Sequence, residues 1–262
     1  MFKEITENGI TYISSTLLPV KNVFTTRLGG CSTGDFSSLN FGSKLGDEPD
    51  CVRENYRRYC GLFGVGENDA CETKQVHGAA VRIVTSEDKH QNMSITPYEA
   101  DGIVTAERGL PLFCFTADCI PVLLCDGERN AAAAVHCGWR SSVLDILSST
   151  IDAMLSLGAR RENIFAALGP SIGKCCFETD DDVPAAVFDY IGENEACAKK
   201  GEKYFVDLRL ANKIRLMQLG IKEENIDLSS ECTFCLPGKY YSHRYCLKNG
   251  IKRGSMSAGI ML

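Results

Sequence analysis

The stretch from Ala131 to Gly158 constrains the fold more than any other part of the chain. Ala131 to Cys137 is an alanine-rich run, polar only at His136, that reads as a buried strand. Gly138-Trp139-Arg140-Ser141 then turns the chain. Val143, Ile146, Leu147, Thr150, Ile151, Met154 and Leu155 follow at helical spacing until Gly158 stops them. Ser142 followed by Asp145 has the form of a capping box opening that helix. A strand that runs straight into a helix calls for a sheet with helices laid against it.

The flanking segments read the same way. Leu112 to Cys125 is β-rich but interrupted by Thr116-Ala117-Asp118 and Pro121, which predicts two short strands or one bulged strand. Ile164 to Leu168 is another strand, followed by the turn-rich Gly169-Pro170-Ser171-Ile172-Gly173. Val52, Tyr56, Cys60 and Phe63 have helical spacing behind Pro49, a first-turn residue. Asp207 is placed to cap a helix carrying Leu208, Ala211, Ile214, Arg215 and Leu219 and ended by Gly220. Strand and helix signals intermix without a strict βαβ rhythm, so the expectation is an α+β fold: one compact domain over residues 1–262, with mixed sheets flanked by helices.

Composition narrows the function. Of 262 residues, 44% are apolar and 24% charged, which excludes a disordered or collagen-like chain. The net charge of −6 is unbroken by any basic block, so neither a nucleic-acid nor an anionic-membrane partner is expected. The opening MFKEITENGITYISS lacks the apolar core of a signal peptide, and no apolar run reaches membrane-spanning length. The expectation is a cytoplasmic protein with reduced thiols. Most of its fourteen cysteines then act as small core residues. The only Cys-x-x-Cys is Cys232-Thr-Phe-Cys235, and a zinc ribbon needs a second such pair. The vicinal Cys175-Cys176 matches no familiar metal spacing.

Histidine is scarce, with only His77, His90, His136 and His243. His77 and His136 each stand where a short apolar run meets a glycine, and Cys119 stands between Asp118 and a strand. Two imidazoles and a thiolate make a competent three-donor set for zinc, with a fourth position open. The same residues also read as a Cys–His dyad with Cys119 as nucleophile and His136 as base, or as a blue-copper-type set. Spacing alone leaves these readings open. Two candidate anion sites accompany them: the Gly/Ser/Thr-rich loop Thr26 to Gly34 with Arg27, and the turn at Arg140 and Ser141. Trp139, the single tryptophan, reads as a packing anchor.

Six ordered blocks carry a resemblance over nearly the whole chain: TRLGGCSTGDFSSLNFGSKLGDEP, KQVHGAAV, ADGIVT, TADCIPVLLCD, AAVHCGWRSS and LGPSIGKCCFE. They resemble the laccase-domain, or multicopper polyphenol oxidoreductase, family, whose members are described as zinc-dependent purine nucleoside phosphorylases with adenosine deaminase activity. The resemblance implies that His77, Cys119 and His136 hold Zn2+, with copper an adventitious occupant. It also implies a fold shared with toxin deamidases that use a Cys–His pair. Adenosine, inosine, guanosine and methylthioadenosine become candidate substrates, with inorganic phosphate as co-substrate. Arg27 or Arg140 would hold the phosphate, with Ser32 and Asn40 as loop donors. Two departures stand out. Cys137 replaces the alanine usual after the third ligand, and in Tyr240-Tyr241-Ser242-His243-Arg244-Tyr245 only Arg244 remains of two arginines. Four histidines are too few for a laccase's copper centres. The rival readings are a metal-free Cys–His hydrolase or amidase, a cell-wall precursor editing enzyme, and a non-catalytic binding module.

Overall fold

The computed structural model describes residues 1–89, 98–128 and 130–262; His90 lies outside them. Among the described residues the chain forms three β-sheets and six α-helices, the α+β arrangement expected. The six-stranded sheet has the spatial order Ile226–Leu228, Ile164–Leu168, Ile120–Asp126, Ala132–Cys137, Gly102–Thr105, Val81–Ile83. Its central pairings are antiparallel and its two outermost pairings parallel. The Leu112 to Cys125 run becomes two strands, Leu112–Thr116 and Ile120–Asp126, that belong to different sheets.

The five-stranded sheet is ordered Phe2–Glu7, Ile10–Ser15, Lys21–Thr25, Met256–Met261, Leu112–Thr116 and is antiparallel throughout. Alternation along Ala132–Cys137 explains how the two sheets stack. Ala133, Val135 and Cys137 join the apolar side chains of Leu147, Ile151, Val187 and Leu216 on the helical side. Ala132 and Ala134 face the other way, against Phe24, Leu112, Ala258 and Ile260 of the five-stranded sheet. Alanine at these positions lets the sheets come close. The outer face of the five-stranded sheet is covered by helix Pro49–Gly61, whose Tyr59 ring lies 4.5 Å from Phe113. The result is four layers: helices, sheet, sheet, helix.

One local expectation gives way to tertiary structure. The helix after His136 is split into Trp139–Val143 and Ile146–Ser156, with Asp145 between them at φ 63°. Ser142 and Asp145 form no capping box. Ser142 Oγ accepts from Asn212 Nδ2 at 3.0 Å, and Asp145 pairs with Arg215, whose Nε is 3.0 Å from Oδ1. Both partners sit on helix Leu208–Gln218, which is itself capped as expected by Asp207 accepting from Leu210 N–H at 3.1 Å.

Candidate metal centre

Register brings distant parts of the chain to one rim of the six-stranded sheet. Ile120 pairs with Cys137, Pro121 with His136, Gly102 with Val135, and Val81 with Gly102. The residues just before three strands therefore meet the end of a fourth. His77, Cys119 and His136 gather there, with their donor atoms all within 4.8 Å of one another. Cys119 Sγ is 3.8 Å from His77 Nε2, and the two imidazole rings lie 4.7 Å apart at 85°.

Asp101 organises this arrangement. Its side chain is wholly buried, and its carboxylate accepts from the backbone N–H groups of Val76 (3.1 Å), His77 (2.9 Å) and Gly78 (2.8 Å). It also lies 2.8 Å from His136 Nδ1, which fixes that ring and turns Nε2 toward Cys119. Burial works against ionisation of Asp101, but the bond to His136 and the amides of Gly78 and Val76 outweigh it, holding the carboxyl below its ordinary 3.8. The same three amide bonds pin His77 at φ 60°, a left-handed conformation that costs a non-glycine residue about 1–3 kcal/mol. Gly138 completes the packing. A Cβ there would stand 2.9 Å from His77 Cδ2 and 3.3 Å from Cys119 Sγ, so only glycine leaves the donors room.

The donors are electrically matched. Burial disfavours the Cys119 thiolate, yet hydrogen bonds and positive charge from His136 and His77 bring its pKa from 9.0 down to about 6. Burial likewise disfavours charged His136, but Asp101 and Cys119 raise it from 6.5 to about 9. In metal-free protein the depressed thiol stabilises the fold above its unfolded pKa of 9.0, and this contribution is lost as pH falls through about 6. The raised imidazole contributes below 6.5, and that contribution is lost as pH rises through about 9. Thiolate and imidazolium thus coexist between about 6 and 9. Metal-stripped protein is expected to be alkylated by iodoacetamide at Cys119 down to pH about 6, while buried Cys60, Cys71 and Cys114, pushed up to about 12, stay silent. Peptide mapping of the alkylated sites against pH checks this, and added zinc is expected to protect Cys119. The other thiol nearby, Cys137, is turned into the helical core and pushed well above its ordinary pKa by burial, so it does not compete with Cys119.

Two clefts meet at the centre. The smaller, about 240 Å3, is polar and includes Thr73, Gln75, Thr116 and Ser255. The larger, about 340 Å3, includes Trp139, Phe177, Arg140, His243 and Arg244; His77, Cys119 and Arg253 belong to both. Arg140 and Arg244 thus line the larger cleft, and half-buried Trp139 faces it with the Arg140 guanidinium 4.3 Å from its ring. Arg27, Ser32 and Asn40 line neither cleft. Arg27 donates to the carbonyls of Ser37 (2.5 Å), Pro237 (2.8 Å) and Asp35 (3.0 Å) and stacks on Tyr241. Ser32 Oγ and Asn40 O both accept from Asn55 Nδ2 at 2.9 Å, and Asn40 Oδ1 accepts from Ser255 N–H at 2.8 Å. These bonds hold the loop together, and through Asn40 they tie it to Ser255 of the smaller cleft.

Sequence reasoning missed Asp101, His243 and Arg253. Asp101 had one usable signal: it directly precedes a strand in the ADGIVT block.

A sequence model of the family described as "Multi-copper polyphenol oxidoreductase laccase" matches residues 21–262. The chain is 31% identical over 98% of its length to mouse "Purine nucleoside phosphorylase LACC1", of which it spans 59%. It is 34% identical to a "Purine nucleoside phosphorylase" of Deinococcus radiodurans, with 92% of this chain and 89% of that one covered. The crystal structure of YlmD from Geobacillus stearothermophilus superposes with a TM-score of 0.90 at 27% identity, covering 99% of both chains.

Proposed function

The chain belongs to the multi-copper polyphenol oxidoreductase laccase family, and on that premise we propose that it is a purine nucleoside phosphorylase with a second, adenosine-deaminating activity. The observation that carries the reading is the larger cleft. Its aromatic side chains, Trp139 and Phe177, suit a purine, and Arg140, Arg244 and Arg253 suit a phosphate, all beside one open-sided donor set. The whole of residues 1–262 would act as one domain, in the cytoplasm and without a nucleic-acid partner. Among the described residues no helix is long and apolar enough to cross a membrane.

His77, Cys119 and His136 fit zinc by donor chemistry: a thiol poised to ionise and two imidazoles, one of them held by a carboxylate. When bound, zinc would supply Lewis acidity and lower the pKa of water toward 7. The protein's own work is binding and orientation. Arg140 and Arg253 would hold phosphate while its oxygen attacks the ribose C1′. The C1′–N bond breaks as the C1′–O bond forms, and the base leaves with the bonding pair. Trp139 and Phe177 would keep the base in the cleft, and Asp101 keeps His136 in the required tautomer. Copper is read as an adventitious occupant, because these three donors make one mononuclear site and cannot furnish the several copper ions of a laccase.

Cleavage of inosine or adenosine is expected to require phosphate and to yield ribose 1-phosphate. Arg253→Ala is expected to raise the apparent KM for phosphate roughly ten- to hundredfold, the loss of a charge-assisted bond of about 1.5–3 kcal/mol. Adenosine deamination, which uses water, is expected to change far less. Free ribose formed at the same rate without phosphate would sink the phosphorylase reading.

A further inference from the structure

We propose that Cys175, Cys176, Cys232 and Cys235 form a second metal centre, a tetrathiolate site for one zinc ion that fastens together the two loops behind the larger cleft. The proposal does not depend on what the His77–Cys119–His136 centre does. Its basis is a convergence that spacing hides. Strands Ile164–Leu168 and Ile226–Leu228 run parallel, side by side, and leave the six-stranded sheet at the same rim. Beyond them Ser171 bridges to Cys232, so the two following loops remain together.

Each loop then makes a tight turn. Cys176 and Phe177 N–H both bond to Gly173 O at 2.9 Å, and Leu236 N–H bonds to Cys232 O at 3.1 Å. The turns aim all four sulfurs at one point, with every pair within 4.8 Å. Cys176 Sγ is 3.3 Å and Cys175 Sγ 3.7 Å from Cys235 Sγ, and none of the four is in a disulfide. Four sulfurs around one zinc at ~2.3 Å stand ~3.8 Å apart in a tetrahedron, in the middle of this range. The vicinal pair therefore does the work of the second Cys-x-x-Cys that a zinc ribbon would need.

The surroundings suit a dianionic centre. Binding would release the four thiol protons and leave a net charge of two minus on the ion and its thiolates. Gly173 N–H donates to Cys232 Sγ at 3.2 Å. Buried Arg209 donates to the carbonyls of Ser229 and Glu231, and its Nη2 lies against Gly173 beside Cys175 Sγ. Cys175 and Cys235 are exposed, so core packing does not account for the grouping.

The centre would steady the cleft. Thr233, between two of its ligands, donates to Asp118 Oδ1 at 2.6 Å, and Asp118 O accepts from Ile172 N–H at 2.9 Å. Ile172, Phe177 and Asp118 all line the larger cleft.

Elemental analysis of the full chain, purified under reducing conditions from zinc-supplemented medium, is expected to find about two zinc ions per chain. Cys176→Ala/Cys235→Ala is expected to lose one of them, and His77→Ala/His136→Ala to keep one. Wild-type protein refilled with Co2+ is expected to show charge-transfer absorption from five thiolates, a readout that survives if the variants do not fold. An unchanged zinc count in Cys176→Ala/Cys235→Ala, or cobalt absorption from a single thiolate, would overturn the proposal. So would metal-free protein whose mass and peptide map show a Cys176–Cys235 disulfide, two hydrogens lighter.

Discussion

Cys119→Ser is expected to empty the His77–Cys119–His136 centre and abolish turnover. An outer partner of a metal ligand is worth roughly 10- to 100-fold in affinity, and loss of a ligand itself should exceed that. Serine is a poor zinc donor, whereas aspartate is a competent one, so Cys119→Asp is expected to retain more zinc and some activity. The comparison separates two chemistries that geometry alone does not. A sulfur 3.8 Å from one imidazole and electrostatically coupled to another is as well placed for nucleophilic attack as for coordination. Serine and aspartate variants that keep full zinc and are equally dead would make Cys119 a nucleophile. Zinc counts on the two variants, read beside their rates, decide it.

Asp101→Ala carries the second large effect. The substitution removes the acceptor of three amide N–H groups and the partner of His136 Nδ1 at once. His136 loses its orientation and the His77 loop loses what offsets its left-handed backbone. Zinc affinity is expected to fall by about 10- to 100-fold or more, measured by competition with a chromophoric chelator. Asp101→Asn keeps only one acceptor oxygen, so its Nδ2 must face either the Val76 and Gly78 N–H groups or the His77 N–H and His136. It is expected to bind zinc less tightly than wild type, with a smaller loss than Asp101→Ala. Wild-type affinity in both variants would show that Asp101 does not position the donors.

His77, Cys119 and His136 stand out in the sequence because each lies beside a strand end, where an apolar run stops at a glycine or a turn, and the structure brings their donor atoms within 4.8 Å of one another. His136, Cys119 and His77 are visible in that way without knowing which strands pair. The split helix was not visible, because Asp145 and Ser142 are claimed by Arg215 and Asn212 from far along the chain. Arg27 reads as an anion ligand because the loop around it is rich in glycine and serine; in the fold three of its N–H groups bind backbone carbonyls and it lines neither cleft. The four-cysteine grouping escaped for a related reason. Spacing rules describe a single turn, and this cluster is set by two parallel strands that deliver two different turns to one place.

The position of strand Met256–Met261 has a consequence for how the protein is born. It lies between Lys21–Thr25 and Leu112–Thr116, pairing with both. Until residue 261 has left the ribosome, those two strands each present a bare hydrogen-bonding edge and have no partner to join them. At about 5–20 residues per second, the nascent chain spends roughly 7–29 s after Thr116 emerges with its five-stranded sheet in two parts. The strand between them, with Gly259 facing Tyr59 and Phe113, acts as a keystone that joins the two parts.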